Sequence, residues 1–186
     1  MKTNWRKWLL TVIATAGVLA GAEPRQPGKE IGIMKLTSTA FADGQPVPMQ
    51  YTCDGADVSP PLQWSELAPG TRSYALICDD PDAPVGTWVH WVIYALPGTA
   101  RELPEMVAAT ETLPNGAKQG LNDFRHVGYG GPCPPPGRPH RYFFKLYALD
   151  TELALKARAT KQDLLRAMAG HILAETQLMG TYQRAR

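Results

Sequence analysis

The sequence predicts a mainly β domain, a sandwich of two antiparallel sheets with a C-terminal helical segment. Short strand-like runs recur between clusters of Pro, Gly and Asp, the pattern of a sandwich. All 17 prolines of the 186-residue chain lie beyond residue 22, which disfavours a helical bundle. The run Trp88-Val89-His90-Trp91-Val92-Ile93-Tyr94 is apolar on both strand faces, as expected for a central strand covered on both sides.

Residues 1–22 read as a signal peptide. Lys2, Arg6 and Lys7 form a positive start, an apolar run extends from Trp8 to Ala20, and Ala20-Gly21-Ala22 is a small-residue cleavage site. Removing them takes three basic side chains and no acid, so the remaining 164 residues carry 16 basic and 17 acidic groups. A near-neutral domain without a Lys/Arg cluster does not support nucleic-acid binding. Residues 23–30, with Pro24, Pro27 and Gly28, read as a linker. Residues 31–186 then form one domain, exported to the periplasm or secreted, with membrane contact only through the signal peptide.

Within that domain the expected strands are Ile33–Ser38, Met49–Thr52, Ser73–Cys78, Trp88–Leu96 and Arg141–Leu149. The segment from Pro97 to Pro139 lacks periodicity, and its second half, Gly128 to Gly137, can only be a shaped loop. Thr160 and Asp163 have the spacing of a capping box. Leu164, Leu165, Met168, Ile172 and Leu173 follow at helical spacing, with Gly170 expected to bend the helix.

Three stretches carry polar chemistry. Asp79-Asp80-Pro81-Asp82-Ala83-Pro84 follows an apolar strand and places acids at its end, where loops commonly carry function. The Ala83–Pro84 bond is a candidate cis peptide. His90 is expected on the strand face shared by Trp88 and Val92. His140 and Tyr142, two apart, project to one face with Arg141 on the other. Beside the Gly/Pro loop they make a donor-rich surface suited to a phosphate or carboxylate oxygen.

Asp80-Pro81-Asp82-Ala83-Pro84, His90, Gly131-Pro132-Cys133-Pro134-Pro135 and His140-Arg141-Tyr142 together resemble the phosphatidylethanolamine-binding protein family, in particular its bacterial Raf-kinase-inhibitor-like branch. Cys53-Asp54-Gly55, Ser59 to Trp64 and Gly128 to Gly131 extend the likeness from about Ile33 to the C-terminus. The resemblance implies a Greek-key sandwich with a small pocket for an anion or phosphorylated head group. It assigns Asp80, His90, His140 and Tyr142 to the polar wall, Asp82 and Pro84 to the first loop, and Gly131, Cys133 and Pro134 to the backbone side. Cys133 departs from the family, whose eukaryotic members carry glycine there.

Cys53 and Cys133 border loops leading towards this pocket, whereas Cys78 lies in an apolar strand, so a Cys53–Cys133 disulfide is expected; three free thiols are the alternative. The functional expectation is a binding protein rather than an enzyme, with no cofactor and no metal. A protonated histidine should strengthen anion binding at mildly acidic pH. Inhibition of a periplasmic protease is the alternative role, through the Pro-rich loops. Asp80, His90 and His140 could form a two-His-one-carboxylate metal site, but no HExxH supports it, and no GxSxG supports a hydrolase. Oligomeric state stays open, a homodimer included.

Overall fold

Apolar residues run almost unbroken through the central strands, and these build the larger of two antiparallel sheets. The computed structural model describes residues 34–65 and 68–184; the expected signal peptide and linker lie outside them. Among the described residues there are eight strands, β1 Lys35–Thr37, β2 Leu62–Ser65, β3 Ser73–Asp80, β4 Trp88–Pro97, β5 Glu102–Leu103, β6 Lys118–Gln119, β7 His140–Leu149 and β8 Ile172–Tyr182, and one α-helix, α1 Lys161–Met168. The strands form a three-stranded sheet, β1-β2-β5, and a five-stranded sheet, β6-β4-β3-β7-β8.

β3 is buried along its whole length, because both faces of the large sheet are covered. On one face Leu36, Leu62, Trp64 and Leu103 from the small sheet pack against Leu76, Trp91, Ile93, Phe144 and Leu146. On the other, Leu164 and Met168 of α1 pack against Ala75, Ile77, Val92 and Tyr94. Two apolar layers bracketing one sheet explain why its central strands read as continuous apolar runs.

Several elements differ from the sequence expectation. Met49–Tyr51 is a 3₁₀ turn rather than a strand, since Pro46 and Pro48 cannot donate to a ladder and the Tyr51 N–H bonds back to the Pro48 carbonyl. β3 continues through Asp79 and Asp80, so both acids belong to the strand. The helical stripe ends at Met168. Gly170 sits at φ +82° and turns the chain, and Ile172 and Leu173 open β8 instead of continuing the helix. Pro97 to Pro139 holds two short strands, β5 and β6, and the Ala83–Pro84 peptide is trans.

Capping is as expected: Thr160 Oγ1 accepts from the Asp163 N–H, and the Asp163 carboxylate accepts from the Thr160 N–H. Leu164 is fully buried, whereas Leu165 is 41% exposed. Leu164→Ala should therefore cost about 2–5 kcal/mol of stability through a lost core contact. Leu165→Ala should stay within about 0.5 kcal/mol. Urea denaturation of both variants checks this, and equal losses would contradict the packing described for α1.

Candidate functional site

The ends of β3, β4 and β7 converge where the large sheet meets the loops before and after β4. Asp80 is the last residue of β3 and is 3% exposed. One of its carboxylate oxygens accepts from the Asp82 N–H at 2.8 Å, forming a turn that starts the Pro81–Val85 loop. The other pairs with His140 Nδ1 at 2.8 Å, where the imidazole donates across the β3–β7 interface. His140 is 4% exposed, so this is a buried charge-assisted contact.

His90 reaches the same place by a different device. Cys78 pairs with Trp91 and Asp79 with Val89, which leaves His90 as an extra residue in β4, a β-bulge. Val89 and Val92 pack on the helix-covered face, while His90 makes an edge contact with Tyr142, ring centroids 5.1 Å apart. The expectation that His90 shares a face with Val92 is thus corrected, because the bulge re-aims the side chain. Its face is shared with Trp88. Phe124 meets both the Trp88 and the His90 rings edge-on.

The loop after β6 supplies the hydrogen bonds that the bulge removes from the ladder. Asp123 accepts the Val89 N–H and its own N–H bonds the Val89 carbonyl. The Gly130 N–H bonds the His90 carbonyl, and His90 Nδ1 donates to the Gly130 carbonyl at 2.6 Å. With Nδ1 protonated, Nε2 is left as the free lone pair of the neutral ring. Burial pushes the His90 pKa below the usual imidazole range, against the opposing pull of the Gly130 carbonyl and the Asp80 charge. Tyr142 is fully buried, and its hydroxyl makes no hydrogen bond of good geometry among the described residues. Burial and then the nearby Asp80 charge push its pKa far up, so the phenol stays neutral.

A cleft of about 180 Å³ opens over these side chains. Asp80, Pro84, His90, Cys133, Pro134, His140 and Tyr142 line it, as do Ala83, Val85, Trp88, Phe124 and Pro135. Two residues assigned to the site by sequence stand outside the lining. Asp82 turns away and grips Arg141, accepting from Nε at 2.8 Å, from a terminal guanidinium nitrogen at 2.9 Å and from the backbone N–H at 3.0 Å. That guanidinium holds the Asp82 carboxyl down at about 2. Asp82 therefore locks the Pro81–Val85 loop to β7. Gly131 gives its N–H to Asp57, and a Cβ there would come within 2.4 Å of the Tyr51 carbonyl oxygen. Its role is to let two backbones approach, and its N–H is already used.

Trp88 and Phe124 were not assigned to the site from the sequence. Trp88 had a usable signal, the two-residue offset from His90. Phe124 had none, since it comes from an aperiodic segment and reaches the cleft only through the fold.

Cys53 and Cys133 are bonded, with Cα atoms 5.4 Å apart and a sequence separation of 80; Cys78 is a buried free thiol. The bond fixes one wall of the cleft, where Pro134 and Pro135 have no N–H with which to anchor themselves. Cys133 thus gives this loop a covalent tether. Among the described residues no group of three His, Cys, Asp or Glu side chains is placed to hold a metal ion.

Comparison with known proteins follows the same outline. Residues 37–183 match the profile of the family described as phosphatidylethanolamine-binding protein. A UPF0098 protein of Methanothermobacter thermautotrophicus is 52% identical over 151 residues, covering 81% of this chain and 99% of its own length. A UPF0098 protein of Aquifex aeolicus is 49% identical over 154 residues, covering 82% and 90%. Among solved structures, a phosphatidylethanolamine-binding protein homologue from Chlamydia trachomatis superposes with a TM-score of 0.75 at 43% identity, covering 82% of this chain and 98% of the other. Escherichia coli YbcL, described as a member of the mammalian family, gives 0.76 at 32% identity, covering 82% and 99%.

The tether makes a stability prediction. Closing a loop of 80 residues removes much unfolded-chain entropy. Cys133→Ser should therefore lower unfolding free energy by about 2–5 kcal/mol. Denaturant titration of wild type and variant measures this, while thiol counting on unreduced, denatured protein should give one thiol. Unchanged stability, or three thiols, would contradict the assignment.

Proposed function

The chain belongs to the phosphatidylethanolamine-binding protein family, and from that premise we propose that it is an exported binding protein whose cleft takes a small anionic or phosphorylated group. The observation that carries this reading is the convergence of four buried polar side chains, Asp80, His90, His140 and Tyr142, on one cleft at the end of the sheet. Buried polar groups normally satisfy one another. Among the described residues the Tyr142 hydroxyl makes no hydrogen bond of good geometry, and each imidazole commits only its Nδ1.

Asp80 by itself would repel an anion. Its charge is offset when His140 is protonated, because the pair is then neutral overall and His140 keeps an Nε2–H donor. The rim made by Pro84, Val85 and Pro135 is apolar, suiting the part of a ligand next to its charged end. We take the cleft to bind rather than transform its ligand. Burial keeps the Tyr142 phenol protonated, and Cys133 is bonded, so neither serves as a nucleophile.

Export is supported by the basic start and apolar run of residues 1–22 and by the disulfide, a bond that persists in oxidising compartments. The two antiparallel sheets are taken to be connected as the Greek-key sandwich of the family.

An NMR titration with inorganic phosphate and with phosphoethanolamine tests the reading. Resonance shifts should cluster at Asp80, His90, His140 and Tyr142 and leave α1 unmoved. Absence of any response at millimolar ligand would remove the binding function from this cleft.

A further inference from the structure

We propose, on the basis of the binding reading above, that the cleft selects a phosphate monoester carrying one dissociable proton, with the ligand's own P–OH donating to Nε2 of His90. The inference starts from the charges that surround the cleft. Among the described residues no Lys or Arg lines it, and its floor contains the Asp80 carboxylate. Of the neighbouring cations, Arg138 acts on Asp82 but does not line the cleft, and three others are engaged elsewhere. Arg141 is held outward by Asp82, and Lys145 and Lys161 both bind Asp79 near the end of β3. A fully ionised phosphate monoester would bring two negative charges beside Asp80 with no fixed cation to meet them, an arrangement whose repulsion grows as water is excluded.

The hydrogen-bonding pattern points the same way. His90 gives its Nδ1 proton to the Gly130 carbonyl and is held neutral by burial, so Nε2 can only accept. The groups facing that ring are Asp80 from β3, Tyr142 from β7 and Phe124 from the loop after β6, with Asp57 acting from farther away. None of them is a cation. His140 faces Asp80 through Nδ1 and lies opposite Tyr182 of β8. One acceptor, His90, and the Tyr142 hydroxyl as donor, joined by His140 Nε2 whenever that ring carries a second proton, match a singly protonated phosphate monoester, which offers one O–H and several bare oxygens. A sulfate monoester has the same charge and shape but no proton to give. A phosphodiester, the linkage in an intact phospholipid head group, also lacks that proton.

Titration calorimetry of the purified protein at pH 5 and pH 8 with phenyl phosphate, phenyl sulfate and the diester glycerophosphoethanolamine separates these cases. At pH 5 phenyl phosphate should bind at least tenfold more tightly than phenyl sulfate, and the diester should bind no better than the sulfate. Raising the pH to 8 should weaken phenyl phosphate at least tenfold, as it loses its second proton near pH 6. His90→Phe should bring phenyl phosphate down to the level of phenyl sulfate. Equal affinities for phosphate and sulfate at pH 5 would overturn the selection while leaving the anion cleft intact, and preferential diester binding would point instead to a lipid head group and overturn it too. Failure of all three ligands would overturn the binding reading and this inference together.

Discussion

A buried carboxylate has to be matched by donors or it destabilises the fold by several kcal/mol. Asp80 meets that requirement with two contacts, the Asp82 N–H within its own loop and the His140 imidazole across the sheet. The first shapes the turn out of β3, and the second fixes the start of β7. Asp82, two residues on, then grips Arg141, the neighbour of His140. The loop and the strand are therefore coupled at two successive positions, one buried and one exposed. Everything else in the cleft is placed relative to this joint.

Opposite the joint, the β-bulge at His90 turns a strand residue into a cleft residue. An unbulged β4 would send His90 to the helix-covered side, among Val92 and Tyr94. The bulge costs ladder hydrogen bonds, and the loop after β6 restores them through Asp123 and Gly130. That explains why a long aperiodic segment persists in a small domain: it serves as an irregular edge partner for β4. It also carries Phe124 and Cys133 to the cleft and Gly131 to its contact with Tyr51, so one segment supplies a ring wall, a close backbone contact and a disulfide anchor.

The sheet and its central strands were legible because burial on both faces makes most of β3 and β4 a continuous apolar run, while β7 alternates up to Lys145 and is apolar and buried from Leu146 to Leu149. β8 was not. Its residues are mostly exposed or half-buried along an edge strand, and Ile172 and Leu173 happen to continue the spacing of the α1 stripe. The family resemblance assigns Asp80, His140 and Tyr142 to the pocket. The period of two puts His140 and Tyr142 together, whereas the sequence places Asp80 just past its strand rather than at its end. The face of His90 could not be placed, since a bulge is a property of the pairing and leaves no mark in the alternation of one strand. The outward turn of Asp82 was hidden for a similar reason: its partner, Arg141, is 59 residues away. Most of the apolar lining came from loops, where periodicity carries no information.

The account rests on two imidazoles in distinct states, one paired to Asp80 and one neutral and re-aimed by the bulge. Imidazole nitrogen-15 NMR of wild type and Asp80→Asn over pH 4–8 tests this most directly. Both rings should carry their proton on Nδ1 when neutral, His90 should stay neutral well below the ordinary imidazole pKa of about 6.5, and Asp80→Asn should perturb His140 far more than His90. A His90 that titrates at or above 6.5, or that holds its proton on Nε2 when neutral, would contradict the account.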